Sequence, residues 1–229
     1  MKKGVSLKKM KVVEKRRMEG DFWWVVLKGD EDFKFEAGQY VSVKVSEKGE
    51  RRDYSIAGRE KDEGLALLVD VGPGGVGSRF FENIKEGEMV EVLGPMGEFT
   101  VRDEDKSLVM IATGSGIAPI KIMVEEEIKK GKRVWLVWGM RYENDVFWVK
   151  MFKEWKEKHA NFRFDLVLSK VGEEWKGKRG HVQDVVGKGL EEWKGSGFYV
   201  CGSRETVEDV ERWLLSNGVK LELVRKEKF

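Results

Sequence analysis

The sequence predicts two domains, an antiparallel β-barrel followed by an α/β domain built on a parallel sheet. Up to about residue 100, short strand-like runs alternate with turn signals. After it, strand-like runs alternate with longer amphipathic segments. The pattern changes at Asp103-Glu104-Asp105-Lys106, so the predicted domains cover residues 1–102 and 103–229.

The barrel is predicted from five extended runs. Residues 40–45 alternate apolar and polar side chains, which is typical of a half-buried strand. The other runs are bounded by turn residues or charged residues and cover residues 22–27, 51–58, 65–71 and 89–95. Short antiparallel strands at this spacing close into a barrel or stack as a sandwich.

The second domain is predicted to be Rossmann-like. Residues 107–112 are continuously apolar, as a buried parallel strand is. Further strands are predicted at 133–138, 164–168 and 197–201, with helices at 118–130, 146–158 and 204–217. Gly218 is a typical helix stop. This alternation predicts a parallel sheet with helices on both faces.

Composition excludes several classes of function. The 229 residues carry 43 Lys and Arg against 41 Asp and Glu, a balance that does not favour nucleic-acid binding. The single cysteine, Cys201, and two histidines predict no disulfide, no metal site and no four-thiolate iron–sulfur cluster in this chain. The basic N-terminus lacks an apolar core, and no apolar run has the length of a membrane span, so we expect a cytoplasmic protein.

The most informative motif is Arg52-Asp53-Tyr54-Ser55, on a predicted strand. Arg52 and Tyr54 share a face because strand side chains alternate, whereas Ser55 points the other way or lies at the strand end. A guanidinium that holds phosphate, an aromatic ring and a hydroxyl match the needs of a flavin nucleotide.

Three further motifs follow in order. Gly74-Gly75-Val76-Gly77-Ser78 lets backbone amides approach a pyrophosphate, with Ser78 opening a short helix; a flexible turn is the alternative. Residues 112–119 and 199–203 each follow a predicted parallel strand, where nucleotides bind in open α/β sheets. Purely structural turns and a buried, inert Cys201 are the alternatives there.

Together these motifs resemble those of the ferredoxin–NADP⁺ reductase superfamily, flavoproteins with an FAD-binding barrel followed by a pyridine-nucleotide-binding α/β domain. The family's R-x-Y-S/T, G-x-x-S/T and C-G-P motifs correspond to residues 52–55, 75–78 and 201–203. Its glycine-rich loop corresponds to residues 113–119. Smaller matches are Gly38-Gln39-Tyr40 and the G-x-R of Gly139 and Arg141. Two positions depart, since Ser203 replaces proline and Gly58 replaces a common serine.

The resemblance implies hydride transfer between nicotinamide C4 and flavin N5, with Ser55, Cys201 and Glu227 as catalytic residues. The implied FAD-binding residues are Arg52, Tyr54, Ser55, Ile56, Gly75, Gly77, Ser78 and Phe229. The implied nicotinamide-nucleotide-binding residues are Thr113, Gly114, Ser115, Gly116, Pro119, Arg141, Ser169, Lys170, Cys201 and Gly202. Phe229 corresponds to a terminal aromatic residue that covers the flavin in plant-type relatives; a frayed tail is the alternative.

Ser169-Lys170, with Lys178 and Arg179 nearby, favours NADPH over NADH, because the 2′-phosphate needs cations. The expected acceptor is a separate redox protein, a ferredoxin or flavodoxin that Lys8, Lys9 and Lys11 attract, or a small molecule. Three alternatives remain: an NAD(P)H-dependent flavin or quinone reductase, a flavin-binding regulatory or electron-transfer subunit without turnover of its own, and a plain nucleotide-binding module with an accessory barrel.

Overall fold

The computed structural model describes residues 4–29, 33–60 and 64–229. The chain divides into two compact units, Met1–Thr100 and Val101–Phe229. Each unit has its own sheet and is described by itself below.

The first unit is a closed antiparallel barrel with strand order β1-β2-β5-β4-β3-β6. Its elements are β1 (Ser6–Arg17), β2 (Phe22–Gly29), β3 (Tyr40–Lys44), β4 (Arg51–Arg59), β5 (Leu65–Asp70), helix α1 (Val76–Asn83) and β6 (Met89–Met96). The barrel core contains apolar side chains from every strand, among them Met10, Val25, Val41, Ile56, Leu67 and Val92. The predicted barrel is confirmed.

Strand β1 was missing from the sequence prediction. It is twelve residues long, and Met10 and Val12 are fully buried while Lys9 and Lys11 are exposed. The alternation is therefore present, but the outward lysines make the segment look like a basic tail. Strand β1 pairs with both β2 and β6, so it closes the barrel.

The second unit is a six-stranded parallel sheet with order β10-β9-β8-β7-β11-β12. Its elements are β7 (Ser107–Thr113), α2 (Ile117–Lys129), β8 (Arg133–Met140), α3 (Val149–Lys158), β9 (Phe162–Leu168), β10 (Lys178–Arg179), α4 (Val182–Gly187), α5 (Leu190–Trp193), β11 (Gly197–Gly202), α6 (Arg204–Ser216) and β12 (Val224–Lys228). The predicted parallel sheet is confirmed.

Strand order reverses direction between β7 and β11. The chain runs outward from β7 through β8, β9 and β10, then returns to place β11 on the other side of β7. In open α/β sheets, this reversal opens a crevice at the carboxyl ends of the strands, where ligands bind. The loop after β7 and the end of β11 therefore meet at the expected position of a nucleotide.

Candidate functional site

Arg52 and Tyr54 share one face of β4, as strand alternation predicts, and that face meets helix α1. A Cβ atom built on Gly77 would lie 3.1 Å from Cγ of Arg52 and would overlap the hydroxyl oxygen of Tyr54. The Tyr54 ring packs edge-on against Phe81 of the same helix, with ring centroids 4.9 Å apart. Gly77 is therefore the residue that lets α1 approach this strand.

Burial raises the pKa of the Tyr54 phenol to about 12. The side chain remains protonated at any physiological pH, so it offers a neutral hydroxyl and a flat ring. This is the chemistry needed to pack against a planar cofactor and to donate one hydrogen bond.

The glycine-rich turn before α1 leaves open space at the start of the helix. Gly74 has a φ of +63°, and a Cβ atom on Gly75, the N-cap residue, would meet nothing within 4 Å. The prediction that Ser78 opens the helix was wrong, because the helix begins at Val76 and Ser78 lies buried within its first turn. The exposed residues Gly74 and Gly75, just before the first turn of α1, and the exposed Arg52 fit a phosphate.

Lys15 holds the other end of α1 and was not identified from the sequence. Its Nζ donates hydrogen bonds to the carbonyl oxygens of Glu82, at 2.7 Å, and Ile84, at 3.0 Å. A cation on the last carbonyls of a helix stabilises the helix dipole. Lys15 therefore fixes the helix that carries Gly77 and Ser78. No pattern in the sequence distinguishes it from the other lysines of β1.

Ser55 and Ile56 follow on β4. Ser55 is partly buried and lies opposite Tyr40 of β3, while Ile56 is fully buried and its amide donates to the Gln39 carbonyl at 2.9 Å. Ile56 is thus a core residue that holds the strand, and only its backbone remains available to a ligand. The position of Ser55, with its side chain on the opposite face of β4 from Tyr54, follows the predicted alternation.

In the second unit, the loop after β7 packs directly on the end of β11. A Cβ atom on Gly116 would lie 2.5 Å from the carbonyl carbon of Cys201 and 2.8 Å from the amide nitrogen of Gly202. A Cβ atom on Gly202 would overlap the hydroxyl oxygen of Thr113. The two glycines thus bring both predicted motifs into contact at the point where strand order reverses. Pro119 lies in the first turn of α2, as predicted.

Cys201 is almost completely buried, with 1% of its surface exposed. Burial, with a smaller contribution from the carboxylate of Glu227, raises the pKa of its thiol well above the usual value. The sulfur is therefore a neutral thiol at physiological pH, which is unsuited to nucleophilic attack. The catalytic role of Cys201 therefore stays a prediction, and it is one that does not use the sulfur as a nucleophile.

The C-terminal segment is an ordered strand. β12 pairs with β11 so that Glu227 lies opposite Cys201, and the Phe229 amide donates to the Gly202 carbonyl at 3.3 Å. Ion pairs from Lys226 to Glu211 and from Lys228 to Glu208 fasten the strand to α6. The Phe229 side chain is 65% exposed. The structure therefore does not support the alternative that the C-terminal segment is a frayed tail.

The Glu227 side chain is largely buried and points away from the side chains of Lys226 and Lys228, its neighbours along β12. Within the described residues, its Oε2 atom is buried and has no hydrogen-bond partner. Burial raises the pKa of its carboxyl to about 7. A buried, unpartnered carboxyl beside the Cys201 strand end fits a site that receives a polar ligand group.

This carboxyl makes stability depend on pH. In the unfolded chain it releases its proton near the ordinary value of 4.5, but in the folded chain it keeps the proton up to about pH 7. The unfolded state thus binds fewer protons between these values, so stability falls as pH rises through this window. We expect Glu227→Gln to raise the free energy of unfolding by about 1–3 kcal/mol at pH 8 and by almost nothing at pH 4.

Thermal unfolding of Glu227→Gln and the unmodified protein, followed from pH 4 to pH 8, measures this difference. Glu222→Gln is a suitable control, because that carboxyl is exposed on the same C-terminal segment. An equal shift of the Glu227→Gln midpoint at every pH would show that the carboxyl does not titrate in this window.

Ser203, which stands where the family motif has proline, caps the following helix. It is the N-cap residue of α6, and its Oγ accepts a hydrogen bond from the Thr206 amide at 3.4 Å and lies 2.9 Å from the Thr206 hydroxyl. The chain therefore passes from β11 into α6 through a capped helix start.

The loops after β8 and β9 are joined by backbone hydrogen bonds. The Ser169 amide donates to the Met140 carbonyl at 3.0 Å, and the Lys170 amide donates to the Arg141 carbonyl at 2.8 Å. Arg141, Ser169 and Lys170 are all exposed at the carboxyl edge of the sheet. The structure therefore brings these three predicted residues together.

The side chains of the nearby cations Lys178 and Arg179 already contact other residues of the second unit. The Nζ atom of Lys178 lies 2.7 Å from an Asp165 carboxylate oxygen. Arg179 donates through one nitrogen to the carbonyl oxygens of Gly172, Glu173 and Trp175 at 2.9–3.0 Å. These two residues organise the loop before β10, which makes them weaker candidates for phosphate binding than Arg141 and Lys170.

The chain combines a closed antiparallel barrel with a parallel α/β sheet, and each carries a glycine-rich segment at the end of a helix or strand. This is the architecture of flavin- and nicotinamide-binding oxidoreductases. Two family models agree, described as "Oxidoreductase FAD-binding domain" over residues 9–101 and "Oxidoreductase NAD-binding domain" over residues 110–212. The chain is 30% identical to Ferredoxin–NADP reductase B of Sorangium cellulosum, over 74% of this chain and 75% of that protein. The chain belongs to the ferredoxin–NADP⁺ reductase superfamily.

Other relatives are longer. The chain is 31% identical to Protein RfbI of Salmonella typhimurium over 82% of this chain and 57% of that protein. It is 32% identical to CDP-6-deoxy-L-threo-D-glycero-4-hexulose-3-dehydrase reductase of Yersinia pestis, over 80% of this chain and 56% of that protein. The chain thus spans little more than half the length of these relatives.

Among solved structures, the Amycolatopsis cytochrome P450 reductase GcoB matches with a TM-score of 0.91 and 30% identity, over 98% of this chain and 70% of that one. Along the described ranges, no helix combines the length and the apolar character that a membrane crossing requires. The same ranges contain no cluster of three His, Cys, Asp or Glu side chains arranged to hold a metal ion.

Proposed function

We propose that this chain is a flavoprotein reductase, which accepts hydride from NAD(P)H onto FAD and passes the electrons to a separate acceptor. The observation that carries this proposal is a pair of close approaches, one in each unit, each made at a glycine where a Cβ atom would overlap neighbouring atoms. Gly77 lets α1 approach Arg52 and Tyr54, and Gly116 lets the loop after β7 approach Cys201.

When bound, the two cofactors supply the chemistry, which is hydride transfer between nicotinamide C4 and flavin N5. The protein supplies binding and orientation. Arg52 and the N–H groups at the start of α1 would hold the FAD phosphates, and Tyr54 would offer its neutral phenol and flat ring to the flavin. Ser55, on the other face of β4, would offer a hydroxyl at the edge of the ring. The loop of Gly114, Ser115 and Gly116 would receive the nicotinamide nucleotide.

Anaerobic reduction tests the proposal. The purified protein loaded with FAD should be yellow and should lose its flavin absorbance when NADPH or NADH is added. A yellow protein that neither nucleotide bleaches would favour a flavin-binding electron-transfer subunit. A colourless protein without affinity for FAD would favour a nucleotide-binding module.

NADPH is the proposed donor, on the strength of the loop residues Arg141, Ser169 and Lys170. Because Lys178 and Arg179 are engaged elsewhere, Lys170→Ala should raise the KM for NADPH about tenfold and leave that for NADH nearly unchanged. Lys178→Ala is the matched control and should not alter the ratio of the two constants. If Lys170→Ala weakens both nucleotides equally, the proposed 2′-phosphate contact is wrong.

Phe229 is proposed to cover the flavin face where nicotinamide docks. Replacing it with alanine removes the ring and keeps the backbone hydrogen bond to Gly202. We therefore expect Phe229→Ala to bind NADP⁺ more tightly, and Phe229→Tyr, which keeps a ring, to behave like the unmodified protein. Titration calorimetry measures both affinities, and an unchanged affinity in Phe229→Ala would contradict the covering role.

The proposed acceptor is an acidic redox protein such as a ferredoxin or flavodoxin. Lys9 and Lys11 are exposed on the outer face of β1, where they can attract negative charge. A flavin or quinone reductase is the second candidate. Steady-state rates with a panel of protein and small-molecule acceptors distinguish the two, because a steered protein acceptor loses rate as ionic strength rises.

A further inference from the structure

The loop that joins β7 to α2 is held by a hydrogen bond from a neighbouring strand, a contact that the sequence did not predict. The indole Nε1–H of Trp138 donates to the carbonyl oxygen of Gly114 at 3.2 Å. Trp138 lies on β8, where it pairs with Ala112 in the register of the neighbouring strand. A fully buried core residue thus reaches the loop that is proposed to receive the nicotinamide nucleotide.

Gly114 is the part of the loop that most needs such a contact. Its φ is +55°, a region that glycine adopts at low cost, and a Cβ atom built there would meet nothing within 4 Å. Side-chain packing therefore cannot fix the plane of the peptide between Gly114 and Ser115. Its carbonyl oxygen accepts two hydrogen bonds, one from the Ile117 amide of the same turn and one from the Trp138 indole, and only the second ties the peptide to another element of the fold.

The orientation of this carbonyl decides where the next amide points. In a trans peptide the C=O and N–H groups point in opposite directions. Since the Gly114 oxygen faces the Trp138 indole, the Ser115 N–H points away from that indole. As one of the first N–H groups of a helical segment, it has no acceptor within the helix.

The indole itself is held rigidly. The Trp138 ring packs edge-on against Phe147, with centroids 5.1 Å apart, and against Phe152 at 6.2 Å. Its side chain has no measurable exposure. A donor fixed in this way can impose an orientation on a loop that contains two glycines.

We propose that Trp138 is a positioning residue, which orients the Gly114–Ser115 peptide so that the Ser115 amide donates to the diphosphate of the bound nicotinamide nucleotide. This inference depends on the proposed function, since it concerns the same loop. It goes further by assigning a role to a core residue that has no exposed surface.

Trp138→Phe tests the role, because phenylalanine keeps an aromatic ring and lacks the donor. The Gly114 carbonyl still accepts from the Ile117 amide, so no buried oxygen is left without a partner. The matched control is Trp135→Phe on the same strand. Trp135 is equally buried, and its Nε1–H donates at 2.7 Å to Asp165, which retains Arg163 and Lys178 as partners.

The measurement is titration calorimetry on the FAD-loaded proteins, with NADP⁺ and with adenosine 2′-monophosphate, which lacks the diphosphate. We expect Trp138→Phe to bind NADP⁺ about three- to tenfold more weakly and adenosine 2′-monophosphate as tightly as the unmodified protein does. Trp135→Phe should bind both ligands normally.

Two results would overturn the inference while leaving the proposed function intact. One is an unchanged NADP⁺ affinity in Trp138→Phe. The other is an equal loss for both ligands, which would indicate general loosening of the unit. If the unmodified protein binds no nicotinamide nucleotide at all, the proposed function fails and the inference fails with it.

Discussion

Gly116→Ala is expected to destabilise the second unit by about 2–3 kcal/mol and to eliminate most binding of the nicotinamide nucleotide. The added methyl group would meet backbone atoms of Cys201 and Gly202, and none of these can rotate away as a side-chain end could. The loop after β7 and the end of β11 must therefore separate. Both carry residues proposed to contact the nucleotide, so fold and binding should fail together.

Scanning calorimetry, which resolves the unfolding of the two units if they melt separately, measures the stability change, and NADP⁺ titration measures the binding. Gly195→Ala is the matched control, since a Cβ atom there would meet nothing within 4 Å in the same unit. Near-normal stability of Gly116→Ala would mean that the two segments lie farther apart in solution than the structure shows.

Gly77→Ala should weaken both FAD binding and stability in the first unit. The new methyl group would displace the Tyr54 hydroxyl and press on the Arg52 side chain, which are the two groups proposed to hold FAD. Because Tyr54 is packed against Phe81, its ring cannot swing aside without breaking that contact. We expect FAD to dissociate at least about tenfold more readily, with a loss of about 1–3 kcal/mol in stability of the apoprotein.

Fluorescence of FAD released on dilution follows the first effect, and thermal unfolding of the apoprotein follows the second. Gly4→Ala is the control for stability, since a Cβ atom there would meet nothing within 4 Å in the same unit. If Gly77→Ala retained FAD normally, Arg52 and Tyr54 would not be the groups that determine FAD affinity.

Much of this fold could be predicted from short-range patterns. Alternation at residues 40–45 and the apolar run at 107–112 predicted strands that the structure confirms within one residue. Local patterns failed where a strand is covered with charge. β1 and β12 both carry outward lysines, and only pairing with distant strands, β6 and β11, reveals that they are extended.

The close approaches at Gly77 and Gly116 fall in the two glycine-rich segments that the sequence singled out, residues 75–78 and 113–116. Contacts made by a residue of another element could not be predicted. Lys15 binds the end of α1 from a strand some 70 residues away, and Trp138 binds a loop 24 residues away. Each contact depends on tertiary packing, which leaves no local signature in the sequence.

Cys201 is the only cysteine among the 229 residues, and 99% of its surface is hidden at the end of β11. A thiol reagent can reach it only when this part of the sheet opens, so its labelling rate in the native chain reports local opening directly. A second cysteine introduced at an exposed position would then be the residue that a spectroscopic probe labels, because the buried native thiol would not react during the labelling time.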